Sequence, residues 1–207
     1  NTVWSESEWT DGIPENQLLK VGPLAADLDT YTPENHSNEG FIAMSVANMS
    51  ELKGIHYLIE AWKQLKIPDA KLILCGTMND AVAQTVGSTI KERNDIEHVG
   101  YVDDPSEYLK QASVLVHPSL SESFSKAVAE GMASSLPVII TEHGPREYVD
   151  DAGFVVPIRD PDAIADRLRY LYDHPDEARQ MGERGREIVE ANTWDDFSER
   201  VKQAHEE

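Results

Sequence analysis

The sequence predicts an α/β fold: a doubly wound, mostly parallel, Rossmann-like sheet of about six strands with helices on both faces. Short apolar runs without polar alternation, as strands buried on both faces require, recur about six times. Segments with apolar residues at helical spacing separate them, and 207 residues are enough for one substantial domain.

The first strand falls at 41–46, Phe-Ile-Ala-Met-Ser-Val, and ends in turn residues. Ile55, Leu58, Ile59, Trp62 and Leu65 then share one helical face, which predicts a helix over 55–65. A strand over 71–75 is stopped by Gly76, a helix of weaker period covers 81–93, and a short strand covers 96–99. Pro105 suits a first helical turn over 105–111, and 113–117 is again strand-like. A helix over 125–133, a strand over 138–141, a short helix over 145–150 and a strand over 154–157 follow. Helices close the chain over 161–172, 175–191 and 194–205, with Thr193 placed to cap the last.

Residues 1–40 have loop composition, with no initiator Met and no capped first element. They read as an interdomain linker and the tail of a preceding domain, leaving 41–207 as the Rossmann-like domain and the chain as a piece of a longer protein.

Lys and Arg total 18 against 38 Asp and Glu, a net charge of −20 that disfavours a nucleic-acid or anionic-lipid surface. The acid is spread over the sequence rather than blocked, the expectation for a halophilic protein whose self-repulsion is screened by salt. The longest apolar runs fall far short of the ~18–20 residues of a membrane span. The lone Cys75 offers no internal disulfide and reads as a small buried hydrophobe, so a cytoplasmic location is expected.

Ligands of open α/β sheets lie outside the carboxyl ends of the strands. After the first strand come Asn48, Lys53 and Gly54, the last two at the mouth of a helix, where free N–H groups and a lysine suit a phosphate. Gly76 and Thr77 follow the second strand and permit close approach of a ligand. After the fourth strand, His117-Pro118-Ser119-Leu120-Ser121-Glu122-Ser123-Phe124-Ser125 leads into a helix that Ser125 is placed to cap. Glu122 falls in the loop, and Glu130, inside the helix, can accept hydrogen bonds from vicinal hydroxyls such as those of a ribose. The histidines lie on different elements without metal-site spacing, so no metal is expected, and His117 reads as a strand-end residue. Trp62 and Trp194 read as helix packing.

The run from Gly100-Tyr101-Val102 through His117-Pro118-Ser119, Glu122-Ser123-Phe124-Ser125 and Ala129-Glu130-Gly131-Met132-Ala133 to Gly153-Phe154-Val155-Val156-Pro157 resembles the nucleotide-sugar half of GT-B glycosyltransferases. The resemblance is to the retaining group 1, or GT4, family and covers nearly the whole chain; Lys53-Gly54 resembles its phosphate-binding turn and Asp27 to Pro33 its interdomain linker. It implies transfer of a hexosyl unit from a UDP- or GDP-sugar to an acceptor hydroxyl with retained configuration, without a required metal or other cofactor. The acceptor would be bound mainly by an absent amino-terminal domain, through which alone a peripheral membrane contact would arise, and this chain alone is expected to be inactive.

Glu122 and Glu130 match the family's E-x7-E pair, which implies Glu130 on the ribose and Glu122, with Lys53, at the reacting centre. By the same resemblance Ser123, Phe124, Ser125 and Lys126 line the diphosphate, chiefly through main-chain N–H groups, while Gly76, Tyr101 and Val102 border the donor and hold its base. Lys126 replaces a commonly apolar residue, and Asn48 stands where many members carry an arginine that clamps the diphosphate. The alternatives are a non-catalytic nucleotide-sugar binding module and a GT-B-like epimerase or phosphorylase. A dinucleotide dehydrogenase is disfavoured because no G-x-G-x-x-G follows the first strand.

Overall fold

The computed structural model of the chain describes residues 25–33, 40–122, 124–146, 149–193, 199 and 202. Six strands, β1 (Ile42–Val46), β2 (Lys71–Cys75), β3 (Ile96–Gly100), β4 (Val114–His117), β5 (Val138–Thr141) and β6 (Gly153–Val156), form one sheet in the order β3-β2-β1-β4-β5-β6. Every pairing is parallel, so the expected mostly parallel sheet is wholly parallel. The chain builds outward from β1 to one edge and then returns to start the other half at β4. The crevice between the carboxyl ends of β1 and β4 is therefore the topological switch point, where such sheets take ligands.

The helices are α1 (Ile55–Gln64), α2 (Asp80–Glu92), α3 (Ser106–Leu109), α4 (Lys126–Ala133), α5 (Pro161–Asp173) and α6 (Pro175–Glu190). One sheet face is covered by α1, α2 and α5, whose Ile55, Leu58, Ile59, Trp62, Val82, Val86, Ile164 and Leu168 pack on Ala43, Leu72, Leu74, Val114 and Val116. The other is covered by α3, α4 and α6 through Leu109, Val128, Ala129, Met132 and Val189, packed on Met44, Ile73, Leu115 and Ile140. Both faces are thus apolar over the central strands, the reason those strands lack polar alternation, while edge strand β3 exposes Glu97 and His98. Each large side chain buried this way, Leu58 at 0% exposure among them, contributes about 1.5–3 kcal/mol.

The local starts follow sequence rules. Asn79 caps α2 by accepting from the Val82 N–H (2.9 Å), and Asp160 caps α5 from the Ala163 N–H (2.9 Å) with Pro161 in the first turn. Trp62 packs within the core and donates its Nε1–H to Asp95 (3.1 Å), while Cys75 is buried and its thiol is pushed up to about 11, chiefly by burial.

Two expectations change. The helix over 105–111 shortens to α3, and no α-helix forms at 145–150 in the described residues. There, Val149 N–H bonds Arg146 O (3.2 Å) and a 3-10 turn follows at Asp150–Ala152; these three-residue bonds wind too tightly to propagate an α-helix. The Trp194 side of the expected last helix lies largely outside the described residues.

Candidate functional site

Three loops at the carboxyl edge of the sheet are knitted around the switch point. The Leu52 carbonyl, after β1, accepts from the Leu120 N–H (2.7 Å) and the Ser119 hydroxyl (3.1 Å), after β4. Thr141, at the end of β5, donates its hydroxyl to the Ser119 carbonyl, and the Glu122 N–H reaches the His143 carbonyl (3.1 Å). The seam is close enough to demand glycine at one point. Gly54 takes φ +65°, and a Cβ there would collide with the Pro118 carbonyl oxygen.

Lys53 closes a 3-10 turn, Glu51–Lys53, and Gly54 then redirects the chain into α1. That turn aims the Lys53 ammonium across the seam onto Glu122 Oε2. The same oxygen takes His117 Nε2 at 3.1 Å, from the last residue of β4. The Glu122 side chain is 14% exposed and that of His117 only 4%. Burial raises the Glu122 carboxyl, but hydrogen bonds from His117 and Lys53, with their charges, outweigh it and hold the group below the usual carboxylate range.

Ser125 caps α4, its hydroxyl accepting from the Val128 N–H (3.3 Å). The remaining first-turn N–H groups of a helix have no intrahelical acceptor, so this end of α4, beside the seam, is suited to an anion. Glu130 lies inside α4, its side chain 5% exposed, with Lys126 Nζ 3.1 Å from its Oε1; the Lys126 side chain is itself 78% exposed. Tyr31 packs against this carboxylate. Its hydroxyl is pushed up first by burial and then by the charge and hydrogen bond of Glu130. Arg186 of α6 holds the Tyr31 segment by donating Nη1 to the carbonyls of Tyr31 and Ala133 (both 2.6 Å).

A cleft of about 310 Å³ opens here, lined by Ala26, Asp27, Tyr31, Asp103, Asp104 and Lys126 among others. It joins the segment before the sheet, the loop after β3 and the start of α4. Tyr101 is 70% exposed at the head of that loop, and Val102 is half-buried against the core.

The sequence-derived residues thus form two groups. Lys53 and Glu122 meet directly, and Lys126 and Glu130 meet on α4, where Ser125 caps the helix. Phe124 is half-buried in the loop before α4, and Ser123 lies outside the described residues. Asn48 lies at the crevice mouth but is committed elsewhere, its Oδ1 accepting from Thr77 (2.7 Å). Gly76, at φ +128°, lets β2 run against the Ala47 carbonyl, where a Cβ would collide; its conformation serves the packing of these loops. His117 and Tyr31 were not singled out as site residues by sequence. The only local signal for His117 is a histidine ending a strand five residues before an acid, and Tyr31 meets Glu130 only through the fold. Among the described residues no group of three or more His, Cys, Asp or Glu could hold a metal ion. No helix among them is long and apolar enough to cross a membrane.

Comparison with known proteins agrees with this fold. The chain is 32% identical over 210 residues to EpsD of Bacillus subtilis (strain 168), named as a glycosyltransferase, covering 90% of this chain and 55% of that one. It spans about half the length of the curated relatives it matches. Among solved structures, sucrose-phosphate synthase from Thermosynechococcus elongatus superposes with a TM-score of 0.79 at 26% identity, over 88% of this chain and 50% of that one. HepE of Anabaena, solved with UDP-glucose, matches with a TM-score of 0.80 at 18% identity, over 100% of this chain and 61% of its own. The latter is a likeness of fold. The model of the family described as glycosyl transferases group 1 matches residues 30–188, and the chain belongs to that family.

Proposed function

We propose that this chain is the donor-binding domain of a glycosyltransferase that moves a hexosyl unit from a nucleoside diphosphate sugar to an acceptor hydroxyl with retained anomeric configuration. The observation that carries this reading is the pairing at the switch point: a nearly buried Glu130 on α4, and a Lys53–Glu122 pair across the seam from the capped start of that helix. Glu130 would take the ribose hydroxyls, and the loop backbone at Tyr101 and Val102 the base. The α4 N-terminus and Lys53 would stabilise the departing diphosphate, the charge that develops as the glycosidic bond breaks. Glu122 would sit beside the donor sugar. Attack from the face the diphosphate leaves retains the configuration, and makes positioning of the acceptor the main remaining task.

The solved complexes of HepE with UDP and with UDP-glucose, in the same fold, support a uridine or related nucleotide sugar as donor. Residues 1–40 would be the linker from an acceptor-binding amino-terminal domain, and this chain alone would bind donor without transferring it. We place the protein in a salt-rich cytoplasm. Raising KCl from 0.1 to 1 M shortens the Debye length from about 10 to about 3 Å, so the melting temperature should rise with salt.

One observation favours a second reading, a binding module without catalysis. Asn48 carries no charge and is bonded to Thr77, so it adds no second cation beside Lys53. Thermal unfolding in molar KCl with EDTA, with UDP, GDP, ADP and their sugar conjugates, tests both. Ligand at 100 times its dissociation constant should add about 2.7 kcal/mol, roughly 5–10 °C for a domain of this size. No shift with any nucleotide sinks the donor-binding reading. A shift without transfer, once the chain is extended by an amino-terminal domain, favours the module.

A further inference from the structure

Lys53 and His117 grip one oxygen, Glu122 Oε2, from opposite sides of the seam. They differ in freedom. The Lys53 side chain is 26% exposed and hangs from a tight turn, whereas that of His117 is 4% exposed and fixed at the end of β4. A hydrogen bond from imidazole to carboxylate requires the proton on Nε2. Lys53 and His117 are the side chains that act on the Glu122 carboxyl; the loop after β5 contributes only the His143 carbonyl, to the Glu122 main chain.

A lysine that serves a diphosphate cannot remain wholly with Glu122. A largely buried carboxylate stripped of its cation is penalised heavily and relieves the penalty by taking up a proton. A second, immobile donor on the same oxygen removes that penalty.

We propose that His117 is a positioning residue that keeps Glu122 oriented and ionised while Lys53 turns from it to the diphosphate of the donor. The proposal rests on the donor-site reading above. In it Lys53 is the exchangeable half of the clamp and His117 the permanent half, which leaves Glu122 Oε1 for the ligand side.

The test has two parts on the 207-residue chain. In nitrogen spectra of the unliganded protein, His117 should be the Nε2–H tautomer, and its signal should move in Glu122→Gln. An Nδ1–H tautomer indifferent to Glu122→Gln overturns the proposal. In calorimetry with UDP and GDP between pH 7.5 and 9, above the last ionisation of the free diphosphate, the native chain should bind with nearly constant affinity. His117→Leu, confirmed folded by circular dichroism, should take up a proton on binding and lose up to about tenfold in affinity per pH unit. His117→Gln, which returns an N–H near the Nε2 position, should restore the flat profile. A flat profile in His117→Leu overturns the proposal alone. Failure of both nucleotides to bind the native chain overturns the donor-site reading and the proposal with it. If His117→Leu does not fold, the nitrogen spectra decide.

Discussion

Glu122 and Glu130 are eight residues apart and are held in opposite ways. Glu122 stands in a loop, its side chain 14% exposed, and is fixed by two side chains, Lys53 and His117, from other elements. Glu130 stands on α4 at 5% exposure, fixed by the helix backbone, with an exposed Lys126 one turn away and Tyr31 behind it. A loop carboxylate has to be oriented by its partners. A helical carboxylate arrives oriented, so its partners are free to change. The first arrangement suits a group whose charge must persist as a neighbour moves, the second a group that exchanges its present contacts for those of a ligand.

Breaking the helical member should have the largest effect. Glu130→Ala removes the acceptor proposed for two ribose hydroxyls, and hydrogen bonds to a charged group are worth about 1.5–3 kcal/mol each. Nucleotide affinity should fall about 100-fold by calorimetry, and the melting temperature should fall as well, because the buried Tyr31 hydroxyl loses its Glu130 partner, a loss of about 1–3 kcal/mol. Equal affinity in the variant would show that the ribose is held elsewhere.

Next in size is the seam that brings Lys53 to Glu122. Gly54→Ala forces a side chain into φ +65° and against the Pro118 carbonyl. The left-handed conformation alone costs roughly 1–2 kcal/mol, and the collision adds to it, so chemical unfolding should register a loss of about 2–3 kcal/mol. Because Leu52 and Leu120 would be pushed apart, the Lys53–Glu122 pair should loosen too, while Glu130, anchored in α4, should not respond. A variant as stable as the parent would mean that the seam yields without strain.

The framework of this site was legible in sequence more than its contacts were. Strands such as 71–75 and 138–141 declare themselves because both faces of the sheet are covered, and Ser125 declares itself because a cap and its helix are adjacent in the chain. Lys53 and Glu122 were legible as separate candidates, but not as a pair, because 69 residues separate them and only the β1–β4 adjacency joins them. His117 was legible only as the end of a strand. Its significance comes from which way β4 turns it, toward the loop it precedes rather than into the core. The commitment of Asn48 to Thr77 is likewise a property of β1 lying beside β2. Around 145–150 the pattern misled because the described residues there, Arg146 and Val149, make tight-turn bonds, and a 3-10 turn follows at Asp150–Ala152.

The loop carboxylate should reveal itself through pH. The folded value of Glu122 lies below its unfolded value of about 4.3–4.5, so its ionisation contributes stability above that pH. The contribution is lost as pH falls through the lower folded value. Glu122→Gln should therefore be less stable than the parent near pH 7, and the gap should close as pH falls through the lowered folded value. Parallel curves from pH 7 to 3 would mean that Lys53 and His117 do not act on the ionised form.

The smallest effect is expected at Lys126, and it separates two readings of the exposed pair on α4. The Lys126–Glu130 contact is 3.1 Å but the lysine side chain is 78% exposed, and such a pair is worth about 0–1 kcal/mol. Lys126→Ala should leave the melting temperature within about 2 °C of the parent. If the lysine merely occupies Glu130 until the ribose arrives, nucleotide affinity should hold or rise by up to about threefold. If its charge instead reaches the phosphates beside the α4 N-terminus, affinity should fall, and the loss should shrink as KCl is raised toward 1 M, since an exposed charge is screened within about 3 Å there. The sign of that change, read at low and high salt, tells whether the helical carboxylate stands alone in the nucleotide site or shares it with the cation one turn before it.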